Sequence, residues 1–135
     1  TGYVNKGHIA RAVLEATAWQ TREVVDAMDA DSPAEPTALK VDGGMIENDL
    51  LMQSLADVLD TEVVRPLVAE TTCLGAAYAA GLAVGYWPDM ETLRANWHKS
   101  AAWSPKMPSA VRDREYHNWK KAVHRTLDWV EHEDE

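Results

Sequence analysis

The sequence predicts an α/β fold in which short parallel strands alternate with helices. Two short apolar runs, residues 37–41 and 61–65, lack polar alternation, as expected of strands covered on both faces. Each is followed by a longer run whose apolar residues recur three and four apart, the period of a helix. The resulting β-α-β-α order favours parallel strands joined by right-handed crossovers. Length and composition agree with this: 135 residues, 46% hydrophobic and 26% charged, make one domain's worth of globular chain. A domain of this size hides roughly two-thirds of the surface its unfolded chain exposes.

The elements follow in order. Residues 8–29 predict a helix with Ile9, Ala12, Val13, Ala16, Trp19, Val24 and Ala27 near one stripe. Asn5 is its expected N-cap. Pro33 and Pro36 stop it, because proline lacks the amide donor and fixes φ. Residues 37–41 form the first strand, and Gly43-Gly44 turns the chain. A second helix is expected over 46–59 with Leu51, Leu55 and Val58 on one face, then a strand over 61–65 ended by Pro66. Thr71 or Thr72 is expected to cap a third helix running to Val84. Its many small residues imply close approach to a neighbouring element. Residues 89–109 give no clear pattern. A last helix is expected over 109–131, with Tyr116, Trp119, Val123, Leu127 and Val130 on one side, before a solvated acidic tail. Two strands cannot cover their own edges, which hints that the chain is part of something larger.

Charge and cysteine content exclude several classes. A net charge of −9 opposes non-specific binding to nucleic acid and docking on anionic lipid. The single cysteine, Cys73, permits no internal disulfide, and no signal peptide is visible, so a cytoplasmic location is expected. The stretch 71–88 is the longest uncharged run, but its apolar part is short for a membrane span and carries Gly75, Gly81 and Gly85. A buried helix is the expectation there, with no membrane span.

The stretch Val41-Asp42-Gly43-Gly44, with Asn48 following, is the candidate binding site. Two readings are open. Paired glycines supply positive φ for a tight turn. They also let a nucleotide approach bare backbone at a helix start, where N–H groups favour anions. Asn48 lies four residues past Gly44, one turn up the expected helix, and its amide offers a donor and an acceptor to an adenine edge. Asp42 is a turn cap on one reading and a partner of bound metal or water on the other. The motif is neither a Gly-x-x-x-x-Gly-Lys-Ser/Thr phosphate loop nor Gly-x-Gly-x-x-Gly.

The other chemistry-bearing residues form no site. His8, His98, His117, His124 and His132 have no metal-ligand spacing and are expected at the surface. Cys73 lies near a helix start but has no histidine in register, so it is expected as a small buried residue. Trp19, Trp119 and Trp129 are expected in a core or interface. No serine nucleophile elbow is present.

The segment Val41-Asp42-Gly43-Gly44-x-x-x-Asn48-x-x-Leu51-Met52-Gln53 resembles the adenosine-binding segment of the FGGY carbohydrate kinases. Gln20-Thr21-Arg22-Glu23-Val24, Arg65-Pro66, and Thr72-x-Leu74-Gly75-Ala76-Ala77 with Ala80-Gly81-Leu82-Ala83-Val84-Gly85-x-Trp87 extend it nearly end to end. The closing Trp119-Lys120-Lys121-Ala122-Val123 is similar to the members that phosphorylate glycerol, with another polyol or a pentulose such as xylulose as the alternative acceptor. The resemblance implies an actin-like, ribonuclease-H-like fold, with residues 1–135 forming the C-terminal portion of the family's C-terminal, nucleotide-binding domain. It implies ATP and Mg²⁺ as cofactors of the full-length enzyme and conversion of glycerol and ATP to glycerol 3-phosphate and ADP. Of the family's nucleotide contacts, Gly44 (backbone), Asn48 (adenine end) and Gly43 carry over. The catalytic base, the glycerol site and the segments holding phosphates and Mg²⁺ belong to the region before this one, so no catalytic or metal residue is assigned and the segment alone is expected to be inactive. Asp49 stands where some relatives carry an aromatic or apolar residue. The remaining alternative is a stand-alone interaction module, whose sheet edge and small-residue helix would pair with a partner or form a homo-oligomer.

Overall fold

Asn5 starts the first helix. In the computed structural model, which describes residues 2–32 and 37–129, its Oδ1 accepts from the Gly7 and His8 amides at 2.9 and 3.4 Å. His8 Nδ1 accepts in return from the Asn5 amide at 3.2 Å. Such reciprocal capping satisfies donors that a helix start otherwise leaves open. The helix, α1, runs Lys6–Asp31. The stop at the two prolines lies outside the described residues. Only Ala18 and Trp19 of α1 are buried, where it packs on α2. The predicted stripe is therefore covered at Trp19 but not along its length: Ile9, Val13 and Val24 are each more than half exposed.

The strand β1 (Ala38–Lys40) pairs in parallel with β2 (Glu62–Pro66), Leu39 opposite Val63. Between them the second helix starts later than predicted. Gly44–Glu47 form one turn of 3-10 helix, and α2 runs Asp49–Leu59. The reason is Asn48, whose Oδ1 accepts from the Leu51 amide at 3.0 Å and so acts as N-cap instead of lying inside the helix. Leu51, Leu55 and Val58 are buried as expected, with Met52 and Ala56 beside them. Together with Val63 of β2 they make the core between α2 and the sheet; Val64, also buried, faces the other side of the sheet. Asp60, in the left-handed region at φ 55°, reverses the chain into β2.

A third strand, β3 (Lys99–Trp103), pairs antiparallel with the open edge of β2, so the sheet is mixed, in the order β1-β2-β3. Its Lys-Ser-Ala-Ala-Trp sequence carries little strand signal. It forms because β2 presents a row of unpaired backbone groups. The ladder is irregular between Arg65 and Pro66, where proline has no amide to donate.

The third helix, α3, runs Thr71–Ala83. Neither threonine caps it; Glu70 is the N-cap and makes no side-chain bond there. Gly81 is its one buried residue, which corrects the expectation of a buried helix, and Cys73 is exposed. The close approach that its small residues imply occurs at Gly81, against Trp87, whereas Gly75 has nothing within 4 Å of where a Cβ would stand. The short helix α4 (Met90–Ala95) is capped by Asp89, whose Oδ1 accepts from the Thr92 amide at 2.8 Å. No described helix is long and apolar enough to cross a membrane.

These elements belong to one compact unit, Thr1–Pro105; a second, Lys106–Glu135, carries α5 (Ser109–His124). Within it, Lys120 Nζ sits 4.5 Å from the Tyr116 ring centre. The helix ends seven residues earlier than predicted. Thr126 Oγ1 bonds back to the Val123 carbonyl at 2.7 Å, and Asp128 takes φ 57°. Trp129 is 86% exposed rather than part of a core. Val130, His132 and the acidic tail lie outside the described residues.

Candidate functional site

The turn after β1 is held from three sides. The Gly43 amide donates to the Ala69 carbonyl at 3.1 Å, in the loop between β2 and α3. The Thr71 hydroxyl donates to the Asp42 carboxylate. The Ile46 amide returns to the Gly43 carbonyl at 3.3 Å. Gly43 takes φ 85° and ψ 177°, a conformation open essentially to glycine alone. Asp42 is thus a tie between two loops, and Gly43 is required by the backbone.

Gly44 and Asn48 open on one cleft of about 420 Å³, lined also by Met45, Glu47 and Leu14 of α1. Gly43 is not in its wall. Nothing lies within 4 Å of where a Cβ on Gly44 would stand, and its amide has no hydrogen-bond partner among the described residues. The cleft therefore offers one bare backbone edge, one apolar wall and the Asn48 amide. The 3-10 turn places Asn48 at the rim, not one helical turn above Gly44. With Oδ1 committed to the Leu51 amide, its Nδ2 remains as a donor.

Leu14, Met45 and Arg65 were not legible as site residues. Leu14 lies off the predicted stripe and reaches the cleft only because α1 packs on α2. Arg65 Nη1 donates to the Ile46 carbonyl at 3.1 Å and to Asp49 Oδ1 at 3.3 Å, so it borders the site from β2. Its place in the Arg65-Pro66 motif was the one available signal. Asp49 is 73% exposed and faces Arg65.

A larger cleft, about 630 Å³, lies along α3 and α4 and includes Tyr78, Leu82, Leu93 and Trp97. It contains none of the predicted site residues. Its lining is mainly apolar, and both cations on its rim are engaged: Lys40 Nζ lies 4.5 Å from the Trp97 ring centre, and Arg94 pairs with Glu91. Among the described residues no group of three or more His, Cys, Asp or Glu side chains could hold a metal ion.

The family model for the FGGY family of carbohydrate kinases, C-terminal domain, matches residues 1–84. Glycerol kinase 1 of Streptomyces avermitilis is 67% identical over 134 residues, 99% of this chain and 26% of that protein. The crystal structure of Plasmodium falciparum glycerol kinase with ADP superposes with a TM-score of 0.83 at 34% identity, over 96% of this chain and 26% of that one. A xylulose kinase from Rhodospirillum rubrum superposes with a TM-score of 0.74 at 27% identity, over 94% of this chain and 26% of that one. The chain thus spans about a quarter of the length of the relatives it matches. With the matched domain model and the superposed kinases in agreement, the chain belongs to the FGGY family of carbohydrate kinases and has their actin-like, ribonuclease-H-like fold.

Proposed function

We propose that residues 1–135 are the C-terminal portion of a cytoplasmic, ATP-dependent glycerol kinase and supply the adenosine side of its nucleotide site. The observation that carries this is the cleft that joins the bare Gly44 backbone to the Asn48 amide. Gly44 lets a flat ligand reach the main chain, Asn48 Nδ2 donates to an adenine edge, and Leu14 and Met45 supply apolar wall. Gly43 serves from behind by setting the turn. The ADP of the Plasmodium relative supports a nucleoside diphosphate as the ligand class.

In the intact enzyme a hydroxyl oxygen of glycerol, giving its proton to a base outside this segment, would attack the γ-phosphorus of ATP, the bond from phosphorus to the bridging oxygen would break, and ADP would leave. Such transfer rests on positioning and charge stabilisation. Mg²⁺ would stabilise charge on the phosphates; the described residues include no cluster of His, Cys, Asp or Glu that fits it. The exposure of α3, apolar on all sides, supports the reading that these residues are a segment of a longer chain. Glycerol is favoured over xylulose as acceptor by the higher identity to the glycerol kinases.

Asn48→Asp in the intact protein tests this. Aspartate keeps the oxygen that caps α2 and removes the amide donor. The KM for ATP is expected to rise about tenfold, the loss of one hydrogen bond to a ligand, with the unfolding midpoint unchanged. An unchanged KM for ATP sinks the site assignment. Absence of glycerol-dependent ADP release from the wild-type protein sinks the kinase reading.

A further inference from the structure

Arg65 reaches from β2 to the turn that carries Gly44 and Asn48. Its side chain is 17% exposed. Nη1 lies 3.1 Å from the Ile46 carbonyl, 3.3 Å from Asp49 Oδ1 and 3.7 Å from Glu47 Oε2. All three acceptors belong to residues 46–49, on either side of Asn48. The guanidinium carbon also sits 5.1 Å from the ring centre of Trp103 on β3. Val63 pairs with Trp103 across the ladder, so Arg65, two residues along, is a diagonal neighbour on the same face. The ring narrows the space the guanidinium can occupy, and the sheet register sets its height.

Two consequences follow for the cleft. Ile46 is only 2% exposed, and its carbonyl has a charged donor fixing it from the sheet. The 3-10 turn is therefore anchored to β2, not only to its own ends. Glu47 lines the cleft and would oppose an anionic ligand, and Asp49 adds a second carboxylate beside Asn48. Arg65 faces both. A planar guanidinium can meet a carbonyl and carboxylates while stacking on a ring; an ammonium carries the charge without that fixed fork.

We infer that Arg65 is a positioning residue for the nucleotide site, locking the Gly44–Glu47 turn through the Ile46 carbonyl and offsetting the Glu47 charge at the cleft. This rests on the nucleotide reading of that cleft. Arg65 touches no reacting atom, so its loss should weaken ATP binding and leave the chemical step alone.

The experiment compares Arg65→Met, Arg65→Lys and Asn48→Asp with the wild type in the intact enzyme, reading kcat, the KM values for ATP and glycerol, and the unfolding midpoint. Arg65→Met is expected to raise the KM for ATP about tenfold, as for one lost charged hydrogen bond, with kcat at saturating ATP and the KM for glycerol unchanged. Arg65→Lys should recover part of the loss, because it keeps the charge near Glu47 and Asp49. A folded Arg65→Met enzyme with the wild-type KM for ATP overturns the inference. So does a parallel rise in both KM values, which is what general loosening of the fold would produce. If Arg65→Met does not fold, Arg65→Lys decides: a raised KM for ATP supports the role, and a wild-type value removes it. A raised KM in Asn48→Asp but not in Arg65→Met refutes Arg65 alone. Wild-type values in both refute the nucleotide site and Arg65 with it.

Discussion

A Cβ on Gly81 would stand 2.2 Å from both Cε3 and Cζ3 of Trp87. The Trp87 ring closes over the glycine and is held there by edge contacts to Tyr78 and Tyr86, with ring centres 5.0 and 4.8 Å away. The Tyr86 amide donates to the Gly81 carbonyl at 2.8 Å, and Gly85 at φ 76° turns the chain back to allow it. Gly81 is therefore a close-approach residue rather than a flexible one.

Gly81→Ala is expected to destabilise the protein by about 1–3 kcal/mol through overpacking. Gly75→Ala, on the same helix with open space around it, is expected to stabilise by about 0.5–1 kcal/mol by removing a helix glycine. Urea midpoints of the two variants against wild type check this. An unshifted midpoint for Gly81→Ala would mean that the indole moves aside at no cost.

The two glycines of the turn should separate folding from binding. Neither has an atom within 4 Å of a Cβ position, but only Gly43 has positive φ. Gly43→Ala is expected to cost about 1–3 kcal/mol of stability from backbone strain alone. Gly44→Ala should leave the unfolding midpoint in place and raise the KM for ATP about tenfold, because its methyl projects into the cleft. Thermal unfolding and ATP kinetics of both variants are the measurements. Equal effects of the two on both readouts would contradict the division of roles.

Asp89 gives a pH dependence of known sign. The Thr92 amide donates to its carboxylate, and the Thr92 hydroxyl adds a second bond, so the folded chain holds its pKa below the ordinary carboxylate value. A depressed folded pKa means that the cap is fully present above the unfolded carboxylate value. It is lost as pH falls through the lower, folded value. The start of α4 should fray only in that acid window, read as faster exchange of the Thr92 amide. Asn in place of Asp89 keeps a capping oxygen and should abolish the dependence. Fraying of the variant over the same pH range would place its cause elsewhere.

Local signals carried much of the fold. Asn5 as a cap, the strands around Leu39 and Val63, and the buried face of Leu51, Leu55 and Val58 all follow from side chains that act on their own neighbours in sequence. The Asp42-Gly43-Gly44 turn was legible for the same reason, since positive φ is local chemistry; Asn48 was singled out too, but inside the helix and not as its cap. The exposure of Ile9, Val13 and α3 was not legible, since periodicity records which face is apolar and not what covers it. The strand β3 was likewise hidden, because its existence depends on an open edge of β2 and not on Lys99-Ser100-Ala101-Ala102-Trp103.

By itself, then, the sequence determined the α/β order, the family resemblance and the glycine turn after the first strand, because each rests on residue types at short spacing. Tertiary structure decided the rest of the site. Leu14 became a wall when α1 packed on α2, and Arg65 came to face residues 46–49 through sheet register and the Trp103 ring. These are relations between residues distant in sequence, and only packing and strand pairing bring them within reach.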